Sequence, residues 1–228
     1  MFIFDSYYIL LVVPTLLLSL WAQIKVNYTF AKYSKVQCKS GLSGASAAQH
    51  LLNATGIRDV RIQHVSGHLT DHYAPGAKVL RLSDSVYRNC SVASVGVAAH
   101  ETGHAVQHAK GYGPLALRST LVPVANIGSA IGPTLAIVGI IFSYDLLTKI
   151  GIILFSAAVL FYLITLPVEI NASHRAVKLL RETHIMAEDE LYGVKKVLTA
   201  AAMTYIASAL TSIASLLRLV FIARDRDD

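Results

Sequence analysis

The chain has 228 residues, 54% of them hydrophobic and only 15% charged, with mean hydropathy +0.52 and a formal net charge of +6. That composition excludes an ordinary water-soluble domain and points to an integral membrane protein. The positive charge does not point to nucleic acid, because the basic residues cluster beside apolar stretches and form no stripe with interleaved aromatics.

The first apolar stretch, residues 7–24 (Tyr7 to Ile24), is long enough to cross a bilayer. Asp5 and Ser6 precede it, with no basic residue before them and no small-residue cleavage pattern after it, which predicts a retained anchor. Residues 25–118 form the only segment able to build a water-facing part. Within it, "GLSGASAAQHLLNATG" predicts a helix capped by Ser43 and stopped at Gly56. "VRIQHV" and "KVLRLS" alternate and carry β-branched residues, so strands are expected at Val60–Val65 and Lys78–Ser83, joined by the turn-rich "SGHLTDHYAPG" as a short β-hairpin. Ser91 then caps a helix over about 92–110, ended by Gly111 and Gly113-Pro114.

Residues 121–142 and 150–168 predict a transmembrane hairpin, residues 169–196 a charged segment, and residues 197–217 a last span. Pro123, Asn126 and Pro133 interrupt the second span, which packed neighbours tolerate. Gly128 and Gly132, and the series Ala200, Thr204, Ser208, Ser212, have the small-residue spacing of close helix packing. The fold class is therefore a mainly α integral membrane protein: about four transmembrane helices plus a small α+β part with a short β-hairpin.

Of 20 Lys and Arg, eleven fall between the first two spans and five between the third and fourth. The positive-inside rule places that side, and residues 25–118 with it, in the cytoplasm. Cys38 and Cys90 lie there as well, in no CxxC pair, and are expected to be free thiols.

The helix at 92–110 could pass for a fifth span, but His100, Glu101, His104, Gln107 and His108 crowd its second half and are costly in lipid. On a helix His100 and His104 are one turn apart, about 6 Å along the axis, and share a face. Both imidazoles can reach one metal ion, while Glu101, rotated about 100° away, stands beside it as a general base for an attacking water. His108 lies about 12 Å from His100 along the axis, too far to share that ion.

A catalytic zinc takes three protein ligands and an open position. Glu169 is the candidate third, because two membrane crossings return it to the face of His104 and its position after "FYLITLPV" is poorly hydrated. Arg175, six residues on, is the alternative partner for that carboxylate. Glu182, Glu188 and Glu190 lie in a charged stretch and are weaker choices. His64, His68 and His72 have helical spacing, but Gly67 and the surrounding turn residues argue against a helix there. His72 and Tyr73 are candidates for hydrogen-bonding a transition-state oxyanion, with His174 and Arg175 as rivals. The strand Lys78–Ser83 could pair with an extended substrate by strand addition.

The stretches "LTDHYAP", "KVLRLSDSVY", "SVGVAAHETGHAVQHA", "LVPVANIGS", "LFSAAVLFYLITLPVEINASHRAV" and "KKVLTAAAMTYIASAL" together resemble the bacterial YugP-type membrane zinc metallopeptidases. That resemblance implies a peptidase of the bacterial cytoplasmic membrane with one Zn2+ per chain, its small α+β part being zincin-like and catalytic. His100, His104 and Glu169 would be its ligands and Glu101 its catalytic base. Two positions depart from the family pattern: Asn171 where Asp is common, and "HYAP" in place of "HYDP". The Asn weakens any role of position 171 in orienting a metal-bound histidine.

The expected partners are thus a peptide or protein substrate and the lipid bilayer. The rival class is a non-enzymatic membrane scaffold whose metal is structural, which normally needs four protein ligands. A metal transporter would need ionisable residues inside the spans, and 121–142 and 197–217 contain none.

Overall fold

The computed structural model describes residues 5–227. It is a mainly helical membrane protein with a small sheet. Four helices are long and apolar enough to cross a bilayer: Tyr8–Tyr33, Gly113–Ile141, Asp145–Glu182 and Glu188–Arg226. The first begins as a π-helical stretch, Tyr8–Val12, and continues as α1 (Val13–Tyr33). Each helix runs well past the apolar stretch that marks it in the sequence. The described residues divide into one unit of residues 5–23, 116–167 and 203–227 and a second of residues 24–115 and 168–202.

The first unit holds much of the apolar helix material. Its α5 (Gly113–Ile141) and α6 (Asp145–Glu182) approach so closely that glycines are required. A Cβ built on Gly128 would lie 2.2 Å from the Leu154 carbonyl oxygen, and one on Gly151 2.3 Å from the Ala136 nitrogen. The Gly128/Gly132 spacing therefore is a packing device, as its spacing predicts. Pro123 and Pro133 lie inside α5 without ending it. Arg218 donates from Nε and an Nη to Asp5 Oδ2 at 2.9 and 2.7 Å, a nearly buried pair.

The second unit contains the sheet and the helices around it. Helix α2 (Gly44–Ala54) begins at Ser43, whose hydroxyl accepts from the Ser46 N–H, and is followed by Gly56 at φ +74°. Strands β1 (Arg61–Val65), β2 (His72–Ala74) and β3 (Val79–Ser83) follow, then a single turn α3 (Asp84–Tyr87) and helix α4 (Val92–Ala109). In α4 the Ser91 and Ser94 side chains form a reciprocal cap, and Gly111 at φ +62° follows its end. Helix α7 (Glu188–Asp227) completes the chain.

The sheet corrects two sequence expectations. Its order is β1-β3-β2, with β1 parallel to β3 and β2 antiparallel to it. The two strands expected as a hairpin pair in parallel, and the hairpin is made by β2, which lies inside the segment expected to be only turn. Strand β3 is central, buried at four of its five residues and hydrogen-bonded on both edges. It therefore has no edge left for an added strand, and the expectation that Lys78–Ser83 pairs with substrate is overturned. Asp71 secures the β2–β3 hairpin by accepting from the Ser83 N–H at 2.7 Å and from its hydroxyl at 2.9 Å.

Between Val92 and Gln107 helix α4 is buried except at Val97 and His100, so it is the core helix of this unit. Leu51, Val92, Val95, Ala99, Leu180, Leu191 and Val194 form one apolar cluster around it. Where α4 meets α6, a Cβ on Gly103 would lie 2.6 Å from the Ala172 carbonyl oxygen. That close approach sets the distance between the two helices that carry the polar groups described next.

Adding a methyl where backbone already fills the space forces the helices apart, at a typical cost of about 1–3 kcal/mol. Gly128→Ala and Gly151→Ala should therefore lower the thermal unfolding midpoint of the detergent-purified protein. Gly113→Ala, where a Cβ meets nothing within 4 Å, should leave it unchanged.

Candidate metal centre

Helix α4 presents His100 and His104 one turn apart, their rings 4.8 Å apart and nearly perpendicular. Helix α6 brings Glu169 to them. Glu169 Oε2 lies 3.2 Å from His100 Nε2 and 3.5 Å from His104 Nε2. One possible ligand atom from each of the three residues lies within 4.8 Å of the others, and no further residue of a ligating type joins them among the described residues. Glu169 is 2% exposed, so its charge is met by these groups rather than by bulk water.

The outer hydrogen bonds determine which ring nitrogen of His104 carries the proton. Arg175 can only donate, and its Nε–H lies 2.7 Å from Asn171 Oδ1. The same oxygen accepts from Gln107 Nε2 at 3.0 Å, and that amide also donates to the Val168 carbonyl at 2.8 Å. With its NH2 spent on two acceptors, Gln107 offers its oxygen to His104 Nδ1 at 2.9 Å. Nδ1 therefore holds the proton, and the Nε2 of a neutral ring turns a lone pair toward a carboxylate oxygen. Two electron-rich atoms at that distance in a buried place call for a cation, either a proton or a metal ion. Burial alone pulls the His104 pKa down, but the hydrogen bond that its charged ring donates to Glu169 and the charge of Glu101 outweigh it and hold it raised. His100 is held in the same manner, with Ser173 Oγ 3.1 Å from its Nδ1. Two imidazoles, each backed by an outer partner, and one carboxylate fit a zinc ion with an open position.

Glu101 is 7% exposed and, among the described residues, has no hydrogen-bond or ion-pair partner. Its burial pushes its pKa up, against the opposing pull of His100 and His104.

The other sequence candidates are dispersed. His72 donates from Nδ1 to the Thr70 carbonyl, with Arg81 3.3 Å from its Nε2. The Tyr73 hydroxyl is 2.8 Å from His108 Nδ1, at a cavity also lined by Asp59, Lys78 and Ala105. Arg175 bonds Asn171, and its guanidinium lies 5.9 Å from the Tyr112 ring centre. His174 is exposed and lines a second cavity with Ser173. The three loop histidines do not converge: His64 pairs with Asp84, and His68 packs edge-on against Phe30.

Sequence reasoning missed Gln107 and Ser173. Helical spacing was the available signal, since Gln107 is three residues after His104 and Ser173 four after Glu169, both on the same face as their neighbour. Asn171 does contribute to orienting His104, but through Gln107 and not directly. A zinc ion at this group should lose roughly 10–100-fold in affinity in Gln107→Leu, which removes the acceptor for His104 Nδ1–H. Gln107→Glu, which keeps an acceptor there, should retain most of it; competition with a chromogenic chelator measures both.

No solved structure matches the chain. It is 48% identical over 215 residues to the "Putative membrane protease YugP" of Bacillus subtilis (strain 168), covering 94% of this chain and 96% of that protein. Residues 8–224 match the family described as "Putative neutral zinc metallopeptidase", a span that includes the sheet, α4 and all three candidate ligands, and the chain belongs to that family.

Proposed function

We propose that the protein is a zinc-dependent endopeptidase of the bacterial cytoplasmic membrane. His100, His104 and Glu169 hold the metal, and Glu101 is the general base. Zinc at that group supplies Lewis acidity toward the scissile carbonyl and the attacking water. The Glu101 carboxylate takes the proton of that water at one of its oxygens and returns it to the departing amine.

The observation that carries this reading is the pairing of a three-residue donor group with an almost buried carboxylate that, among the described residues, has no protein partner. Its oxygens are not sealed from solvent, since no buried side-chain oxygen among the described residues lacks a partner, so they can reach a water. A structural zinc is normally closed by four protein ligands, so three donors favour the catalytic use over the scaffold. The names of the family and of the Bacillus subtilis protein support the same reaction class. Because β3 has no free edge, an extended substrate would lie along the open edge of β2, which packs on α4 through Tyr73 and His108. The concentration of Lys and Arg in residues 25–118 and 169–196 supports a cytoplasmic catalytic part.

Elemental analysis of detergent-purified protein should find about one zinc per chain in the wild type and far less in Glu169→Gln. Full retention in that variant would move the third ligand elsewhere. Glu101→Gln should keep the metal and lose turnover by roughly 10²–10⁴-fold; undiminished cleavage would remove Glu101 from its role.

A further inference from the structure

A cavity of about 560 Å³ opens between α6 and α7 in the second unit, within the size range of ligand pockets. It shares a wall with the metal centre: Ser173 lines it and is the residue 3.1 Å from His100 Nδ1. Helices α6 and α7 run antiparallel here, joined by the short turn after Glu182, and each changes character in the same direction. On α6 the lining passes from Ile170 through Val177 to Lys178 and Arg181; on α7 it passes from Ala202 through Leu198 to Lys195. The cavity is apolar at one end and cationic at the other.

The cations differ in availability. Arg181 is held by Glu188 through Nε and an Nη, and Lys178 lies 3.6 Å from Glu182. His174 and Lys195 have no hydrogen bond or close ion pair among the described residues, and Lys195 acts on Glu188 only through space. This ammonium and this imidazole match a single carboxylate. A polyanionic lipid headgroup would have to displace Glu182 and Glu188.

From this we infer that the α6–α7 cavity is a substrate subsite that takes an aliphatic side chain with a carboxylate close by, the carboxylate lying against Lys195 and His174. This rests on the peptidase reading. It adds a substrate class, peptides with an acidic group flanking an apolar residue, and puts the occupant one side chain, Ser173, from His100.

The test uses the full chain in detergent, zinc-loaded and carrying Glu101→Gln to prevent turnover. Binding of labelled apolar hexapeptides is followed by fluorescence anisotropy at low salt. Three peptides are compared: one with Glu and an amidated end, one with Gln and an amidated end, and one with Gln and a free C-terminal carboxylate. The carboxylate should improve binding up to roughly fivefold, the strength of one exposed ion pair, and the gain should fade as salt rises. Lys195→Glu should abolish or reverse the preference, and Lys195→Gln should reduce it should the charge reversal misfold. Which of the two acidic peptides gains assigns the carboxylate to a side chain or to a chain end. Equal binding of all three overturns the subsite. So does charge-blind peptide binding combined with a Lys195-dependent loss of co-purifying phosphatidylglycerol, which would make the cavity a lipid site. Charge-dependent binding together with no cleavage of any peptide by the wild type supports the cavity and overturns only the peptidase reading.

Discussion

The organisation of the second unit depends on burying a carboxylate at the point where α6 meets α4. Glu169 is almost without solvent, and a charge so placed must be met by positive partners or it will not ionise. The chain provides for this with backbone as well as side chains. Gly103 lets α4 lie against the Ala172 carbonyl, which is what brings the two imidazoles within reach of Glu169 Oε2. The two x positions of His100-Glu101-Thr102-Gly103-His104 are accordingly not idle spacers. Thr102 returns its hydroxyl to the Ala98 carbonyl, and Gly103 removes the atom that would hold the helices apart.

That constraint also explains why the third proposed ligand comes from a helix whose other end is a membrane span. A ligand on a mobile loop would leave the carboxylate free to seek water. On α6 it is held by the same continuous helix from Asp145 to Glu182, and its neighbour at i+4, Ser173, is carried to His100 with no additional element. Membrane anchoring and site precision thus come from one piece of secondary structure.

Much of this was legible in the residues. The limits of α2 and α4 could be read because Ser43, Ser91, Gly56 and Gly111 act on the backbone within a few residues of themselves. The spans could be read because hydrocarbon imposes a length. The convergence of Glu169 with His100 and His104 was reachable by counting membrane crossings. The pairing of β1 with β3 in parallel was not, because alternation marks the faces of a strand and says nothing of its neighbours. The role of Gln107 was hidden for another reason: it needs Val168, Asn171 and Arg175, more than sixty residues away in the chain, to determine which way its amide points.

Asn171 shows how such a network can absorb a change in charge. A carboxylate at that position would pair with Arg175 as an ion pair and could accept from Gln107 as well. The amide oxygen accepts from the same two donors, so the proton on His104 Nδ1 is specified equally well. What changes is the field. With an amide in place of a carboxylate at 171, the Arg175 guanidinium meets a neutral oxygen and the Tyr112 ring face instead of an ion-pair partner. An amide at 171 therefore keeps the hydrogen-bonded geometry around His104 and leaves binding the metal and moving the proton, in the proposed mechanism, to Glu169 and Glu101.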